Sequence, residues 1–278
     1  MNILITGANG FLGRLVARKC IDNCWPVTCL YHHGMENIPG GCSRLHISEI
    51  NQCQETDFDI IFHFAAHIPW QKMNLPDQRM INADIRLTLL LCGCFPAAKI
   101  IYASSVSVYG MPTGIITENS AFNNPSIYGL TKLGGEAIVR HHPAFAILRF
   151  SSLYGRGMKR KTFLPQIIDH ARTTGKIKLS GKGDRLQDYL HVTDATAYCI
   201  HAALYGQNEA YLGVFGQSRS NLEVAETIRS FFPGCSIGFA GDDSQPSYKY
   251  DQSYTVSRLG YAPRISLADG IMEILEDG

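Results

Sequence analysis

Tyr128 and Lys132 lie four residues apart in Ser126-Ile127-Tyr128-Gly129-Leu130-Thr131-Lys132. On a helix this spacing puts a phenol and an ammonium on one face. A free phenol gives up its proton only near pH ~10. A neighbouring ammonium stabilises the phenolate and brings proton exchange toward neutral pH. Such a pair can protonate or deprotonate the oxygen of a carbonyl or carbinol. Upstream, Tyr102-Ala103-Ser104-Ser105-Val106-Ser107-Val108-Tyr109-Gly110 offers hydroxyls, and Ser105 is the candidate to polarise that oxygen. Near the N-terminus stands Gly7-Ala8-Asn9-Gly10-Phe11-Leu12-Gly13. It follows an apolar strand and opens an amphipathic helix, the context in which a glycine triplet cradles a dinucleotide. Gly7 permits the tight turn, Gly10 lets the backbone approach a pyrophosphate, and Gly13 allows close helix–strand packing. A lone Tyr-x-x-x-Lys is usually a solvated helix face. The order glycine turn, serine-rich strand end, Tyr-x-x-x-Lys points instead to redox chemistry at an alcohol or ketone.

These groups need a scaffold, and the hydropathy pattern supplies one. Strands are expected at Ile3–Thr6, Val27–Tyr31, 43–47, 60–65, 99–103 and Phe145–Phe150, with helices at 10–22, 79–92 and 127–141. Alternation of strand and helix implies an α/β fold with a doubly wound parallel sheet. Continuous apolar strands fit burial on both faces. The ligand should then lie beyond the carboxyl ends of the strands. After Tyr154 comes a basic loop at 155–161, then a helix at 165–174, a hairpin-like segment at 176–182, and a strand and helix at 188–204 that should rejoin the sheet. This divides the chain into a dinucleotide-binding unit, 1–154 with 186–207, and a smaller substrate-binding unit, 155–185 with 208–278.

The bulk properties exclude several classes. The chain has 278 residues, 45% of them apolar, with 25 basic against 24 acidic side chains and a net charge of +1. That balance gives no basic surface for nucleic acid or membrane. No run reaches the ~18 apolar residues of a membrane span. Ile3-Leu4-Ile5 is too short for a secretory signal, so a cytoplasmic protein is expected. The nine cysteines show no C-x-x-C pair, so reduced thiols and no metal site are expected.

A dinucleotide fold normally carries an acidic residue ~20 positions beyond the glycines, bonded to the adenosine ribose. Here the window reads Tyr31-His32-His33-Gly34. Without a carboxylate a 2′-phosphate meets no repulsion, and His32, His33 or Arg14 can donate to it. NADP(H) is therefore the expected cofactor, with NAD(H) the alternative.

Taken together, the motifs resemble the extended short-chain dehydrogenase/reductase superfamily, and within it the nucleotide-sugar epimerase/dehydratase branch. Further matches are Phe62-His63-Phe64-Ala65-Ala66-His67, Ile81-Asn82-Ala83-Asp84, Leu148-Arg149-Phe150-Ser151-Ser152-Leu153-Tyr154-Gly155, Asp188-Tyr189-Leu190-His191-Val192-Thr193-Asp194-Ala195 and Leu259-Gly260-Tyr261-Ala262-Pro263. The resemblance implies a Rossmann fold, with Tyr128 as acid/base, Lys132 as its partner and Ser105 as second donor. It implies a cofactor site of Gly7, Asn9, Gly10, Phe11, Leu12, Gly13, His32, Glu49, Ile50, Phe64, Ala65, Ala66, Tyr128, Lys132 and Phe150. Asn82 is expected to support the sheet. His67, Ser107, Ser152, Arg185 and Gln187 are the substrate candidates, and the substrate is a nucleotide sugar. A homodimer through the helices at 79–92 and 127–141 is also implied.

The departures narrow the chemistry. Dehydratases of the family carry an Asp-Glu pair where this chain has Val106-Ser107, so no carboxyl is present to eliminate water. Relatives that epimerise before reducing carry a cysteine at Ser107 and a histidine at Gly157, and both groups are missing. Ser152 and Gln187 replace a common asparagine and arginine. Arg156, Lys159, Arg160, Lys161 and Arg185 can substitute at a diphosphate. What remains is redox at one sugar carbon: reduction of a nucleotide-linked 4-keto-6-deoxy sugar with Tyr128 as proton donor, or, alternatively, 4-epimerisation with NAD. A non-catalytic dinucleotide sensor is the remote third reading, opposed by the retained Ser105, Tyr128 and Lys132.

Overall fold

The computed structural model describes residues 1–32, 34, 36–69, 75–158 and 162–276. Its first half runs β1 (Ile3–Thr6), α1 (Phe11–Asp22), β2 (Val27–Tyr31), β3 (Ser43–His46), β4 (Ile60–His63), α2 (Gln78–Ile81), α3 (Leu87–Cys94), β5 (Lys99–Ser105), β6 (Ile115–Ile116), α4 (Ile127–Val139), β7 (Phe145–Phe150) and β8 (Ser152–Tyr154). A π-helical turn, Asn82–Arg86, joins α2 to α3. The second half runs α5 (Phe163–Thr174), β9 (Lys176–Ser180), β10 (Leu186–Gln187), β11 (Tyr189–His191), α6 (Val192–Tyr205), β12 (Ala210–Gly213), β13 (Arg219–Ser220), α7 (Asn221–Ser230), β14 (Ser236–Ala240), β15 (Lys249–Tyr250), α8 (Ser253–Leu259) and α9 (Leu267–Leu275).

Seven strands form one parallel sheet in the order β12-β7-β5-β4-β1-β2-β3. Side chains alternate across it with the period of two that a strand imposes. Ile3, Ile5, Phe62, Ile101, Ala146 and Leu148 pack with Val16 of α1 and Cys199 of α6. Leu4, Ile61, Ile100, Tyr102 and Ile147 pack on the other face with Leu91 of α3 and Val139 of α4. This doubly wound architecture is the expected one. The strand order reverses between β1 and β4, which opens a crevice at their carboxyl ends. A separate core is built from α5, β9, α7 and α9, with Leu164, Ile168, Leu179, Val224, Ile228 and Ile271 buried together.

Three expectations change. Residues 176–182 do not form a hairpin: β9 pairs in parallel with β14, sixty residues downstream in register Lys176↔Ser236. The strand before α6 does not rejoin the central sheet, because β11 pairs with β8 instead. The edge of the sheet is closed by β12, which pairs with β7 although the sequence division set residues 208–278 in the other unit. No helix among the described residues is long and apolar enough to cross a membrane.

Candidate active site

The glycine turn behaves as its sequence requires. Gly7 sits at φ +68°, and a Cβ there would lie 2.8 Å from the Ala65 amide nitrogen. A Cβ on Gly13 would lie 2.2 Å from the Gly7 carbonyl oxygen. Only glycine permits both approaches. Helix α1 starts after Gly10 with no side-chain cap and no acidic residue in its first turn. Its first-turn amides and dipole are therefore left to an anion from outside the chain. Opposite, Phe64 and Ala65 donate their backbone N–H groups to Thr6 Oγ1 at 3.2 and 3.0 Å. The Thr6 hydroxyl bonds His63 Nδ1 at 2.8 Å, and His63 Nε2 bonds Thr88 Oγ1 at 2.9 Å. Thr88 in turn donates to the Asp84 carbonyl at 2.8 Å. With the Thr88 proton used, His63 must donate from Nε2 and accept at Nδ1. Burial, then the Lys132 charge, pushes its pKa down to about 3, so the ring is neutral.

The three catalytic candidates converge. Strand β5 carries Ser105 to its carboxyl end, where it pairs with Phe150 of β7. Ser105 Oγ donates to Ser107 Oγ at 3.0 Å and accepts the Ser107 amide at 3.2 Å. Ser126 caps α4 by accepting the Gly129 amide at 3.2 Å. The helix lies close to β5 because Gly135 leaves room: a Cβ there would stand 2.1 Å from Tyr102 Oη. Lys132 is thereby buried beneath Tyr128, its Nζ 5.9 Å from that ring's centre and 5.1 Å from that of Tyr102. The ammonium donates to the Ala103 carbonyl at 3.0 Å and pairs with Asp84 Oδ1 at 2.9 Å. Burial holds the Tyr128 phenol above its ordinary pKa and Asp84 adds to that, while Lys132 and a hydrogen bond with Ser105 pull it down. Burial opposes the Lys132 charge, but Tyr102, Tyr128 and Asp84 outweigh it and raise its pKa.

Asp84 is the residue that sequence reading missed. Asn82 was the expected support; it is exposed, and its Oδ1 accepts from Gln78 and Arg86 on the helix surface at 3.0 and 3.3 Å. The π turn inserts an extra residue and rotates Asp84 inward instead. An isolated acid in a helix reads as surface, so only its apolar neighbours Met80 and Ile81 hinted at burial.

Other candidates fall in different places. Glu49 caps a short turn through the His46 amide at 3.2 Å, and the Ile50 side chain is buried in the core. Ala66 is exposed, while His67 and Phe64 are half-buried. His67 acts electrostatically on Asp77. Ser152 is exposed on β8. Gln187 Nε2 is engaged by Asn221 Oδ1 at 2.7 Å and Tyr189 Oη at 3.1 Å. Arg185 Nε donates to the Pro246 carbonyl at 3.3 Å. Arg14 Nη2 reaches the carbonyls of Arg156 and Gly157 at 3.2 and 3.3 Å. His33 and the loop residues Lys159, Arg160 and Lys161 lie outside the described residues. Asp188 and Asp194 explain the two late motifs. Asp188 accepts the Phe215 and Gly216 amides, both at 2.8 Å, and Asp194 accepts Tyr261 Oη at 2.6 Å.

A glycine cradle at the switch point, with Ser105, Tyr128 and Lys132 gathered at the end of β5, is the arrangement of a dinucleotide-dependent enzyme. The model of the NAD dependent epimerase/dehydratase family matches residues 3–212, and the chain belongs to that family. A putative UDP-glucose 4-epimerase of Methanocaldococcus jannaschii is 25% identical over 98% of this chain and 97% of its own length. A dTDP-glucose 4,6-dehydratase of an Actinoplanes species is 24% identical over 98% and 96%. The crystal structure of UDP-glucuronic acid 4-epimerase from Bacillus cereus with UDP-glucuronic acid and NAD superimposes with a TM-score of 0.87 at 22% identity, covering 99% of this chain and 98% of that one.

Proposed function

We propose that this enzyme performs redox chemistry at a single carbinol carbon of a nucleotide-linked sugar, reducing a 4-keto-6-deoxy sugar with Tyr128 as proton donor. The observation that carries this is the Ser105/Tyr128/Lys132 set beside the glycine cradle, with Val106 and Ser107 providing no carboxyl to eliminate water. The nicotinamide, when bound, supplies the hydride. Ser105 bonds the ketone oxygen and orients it. Tyr128 protonates that oxygen as charge develops, and Lys132 stabilises the phenolate left behind. Burial keeps Tyr128 a phenol at neutral pH, which suits a donor. Arg185, with Tyr189 beside it, is the cation we assign to the substrate diphosphate.

For the cofactor we now favour NAD(H) over NADP(H). The expectation of NADP(H) rested on the missing carboxylate at 31–34. Glu36 folds back there, its Oε2 2.8 Å from where a Cβ on Gly34 would stand, while Asn9 Nδ2 donates to the Gly34 carbonyl at 3.3 Å. A carboxylate near Asn9 of the glycine turn supports a bond to a ribose hydroxyl and opposes a 2′-phosphate. Glu36→Ser is expected to weaken NADH relative to NADPH by about tenfold, the scale of one lost hydrogen bond to a charged group. Titration of both cofactors by quenching of protein fluorescence checks this, and an unchanged ratio removes Glu36 from the cofactor site.

A second reading, 4-epimerisation with NAD, is favoured by Glu36 and by the full-length match to a putative 4-epimerase. The two differ in stoichiometry. The reductase oxidises one NADH per NDP-4-keto-6-deoxyhexose; the epimerase interconverts C4 epimers of an NDP-hexose with no net change at the nicotinamide absorbance. Incubation with both substrate types should give the first result, and no 4-keto-6-deoxy product from any NDP-hexose. Interconversion without net cofactor change establishes the epimerase instead. Exposed Leu89 and Leu130 on α3 and α4 support a homodimer through these helices.

A further inference from the structure

Asp84 lies outside the glycine turn and the Ser/Tyr/Lys set, yet it is fully buried and touches the latter directly. Its Oδ1 stands 2.9 Å from Lys132 Nζ, and its Oδ2 accepts the Thr131 hydroxyl at 2.9 Å. Two neighbours on α4 therefore grip one carboxylate. The carboxylate is itself fixed from behind, since its own backbone carbonyl takes the Thr88 proton and Thr88 is held by His63 of β4. An acid with no exposure is costly unless paired and hydrogen-bonded. A surface role is thus ruled out, and a purely mechanical one would be filled as well by an amide.

We propose that Asp84 is a positioning residue for the reaction: its carboxylate holds the Lys132 ammonium and offsets the charge that Lys132 presents to the Tyr128 phenol. This rests on Tyr128 being the proton-transfer group. The groups that act on the phenol come from three elements: Lys132 on its own helix, Ser105 on β5 and Asp84 on the π turn. Around these, Tyr102 of β5 faces Lys132, Asp84, Tyr128 and Glu136, and His63 of β4 faces Lys132. His63 is neutral, and Glu136 is committed to a bidentate bond with Arg149 at 2.9 and 2.7 Å. Lys132 and Asp84 are therefore the opposed pair that acts on Tyr128. With both present the net charge below the ring is zero, which leaves burial to hold Tyr128 as a phenol poised to donate. Lys132 donates to the Ala103 carbonyl and pairs as an ion with Asp84, which fixes where its ammonium points.

The test is a titration of Tyr128 itself, independent of turnover. Protein labelled with 3-fluorotyrosine is followed by 19F NMR across pH, with the Tyr128→Phe spectrum identifying the resonance. Asp84→Asn keeps the shape and removes the charge. The Tyr128 midpoint should move to lower pH by about one pH unit, the scale for a unit charge at this separation. Should that variant fail to fold, Asp84→Asn/Lys132→Met removes both charges together. Its midpoint should return to that of the parent, below that of Lys132→Met alone. An Asp84→Asn midpoint at or above the parent's, or a double variant that titrates like Lys132→Met, overturns the proposal. Near-normal turnover of Tyr128→Phe instead sinks the functional reading and leaves the titration result standing.

Discussion

Tyr128→Phe is expected to lower turnover by ~10²-fold or more, the usual range for a lost general acid. Phenylalanine keeps the ring that covers Lys132 Nζ at 5.9 Å and leaves the Lys132–Asp84 pair untouched at 2.9 Å. What disappears is the phenolic proton beside Ser105. The glycine cradle at Gly7 and Gly13 is formed by other elements, so NAD(H) binding should survive. The loss should fall on kcat rather than on cofactor affinity, since proton transfer matters in the transition state and not in the ground-state complex. Stopped-flow oxidation of NADH with a keto-sugar nucleotide, paired with a cofactor titration, separates the two. Turnover near that of the parent removes Tyr128 from the mechanism.

Much of this arrangement was legible because local pattern and tertiary fold agree. Strands β1, β2 and β7 begin and end where their apolar runs do, and Gly7 and Gly13 show their purpose in the atoms a Cβ would meet. What was not legible is long-range. The pairing of β9 with β14 joins segments that carry no mutual signal, and a charged-apolar alternation in Lys176–Ser180 fits a hairpin as well as a parallel pair. Glu36 stands two residues past the window where a carboxylate is looked for, and only the return of the chain at Gly34 brings it back. Asp84 was hidden by a π turn, which breaks the regular helical phase and leaves Asp84 buried and Asn82 exposed. Sequence periodicity assumes a constant phase. Asp84 is what such an assumption misses, whereas Glu36 simply lies beyond a fixed sequence window.

The buried charge on Arg149 leads to the largest expected change in stability. Arg149, the penultimate residue of strand β7, is 1% exposed. Its Nε and Nη2 bond Glu136 Oε1 and Oε2 at 2.9 and 2.7 Å, and its Nη1 bonds Tyr109 Oη at 2.7 Å and the Glu118 carbonyl at 2.9 Å. Ser104 also donates to Glu136 Oε1, at 2.6 Å. Arg149→Met fills the space of the stem but strands Glu136, whose remaining cation, half-exposed Arg140, stands 3.6 Å away. Removing one partner of a buried pair costs about 3–5 kcal/mol. Against a whole-protein stability of roughly 5–15 kcal/mol, this should lower Tm by on the order of 10 °C. Arg149→Met/Glu136→Leu should recover most of that loss, because replacing both ions with apolar groups leaves no charge unpaired. The network also ties α4, through Glu136, to Ser104 next to Ser105. The single variant should therefore lose turnover at temperatures where it is still folded, and the double variant should be stable yet slower than the parent. Thermal unfolding of the three proteins decides it: a single variant that melts with the parent would mean that Glu136 finds other compensation and that the pair does not hold α4 against β5.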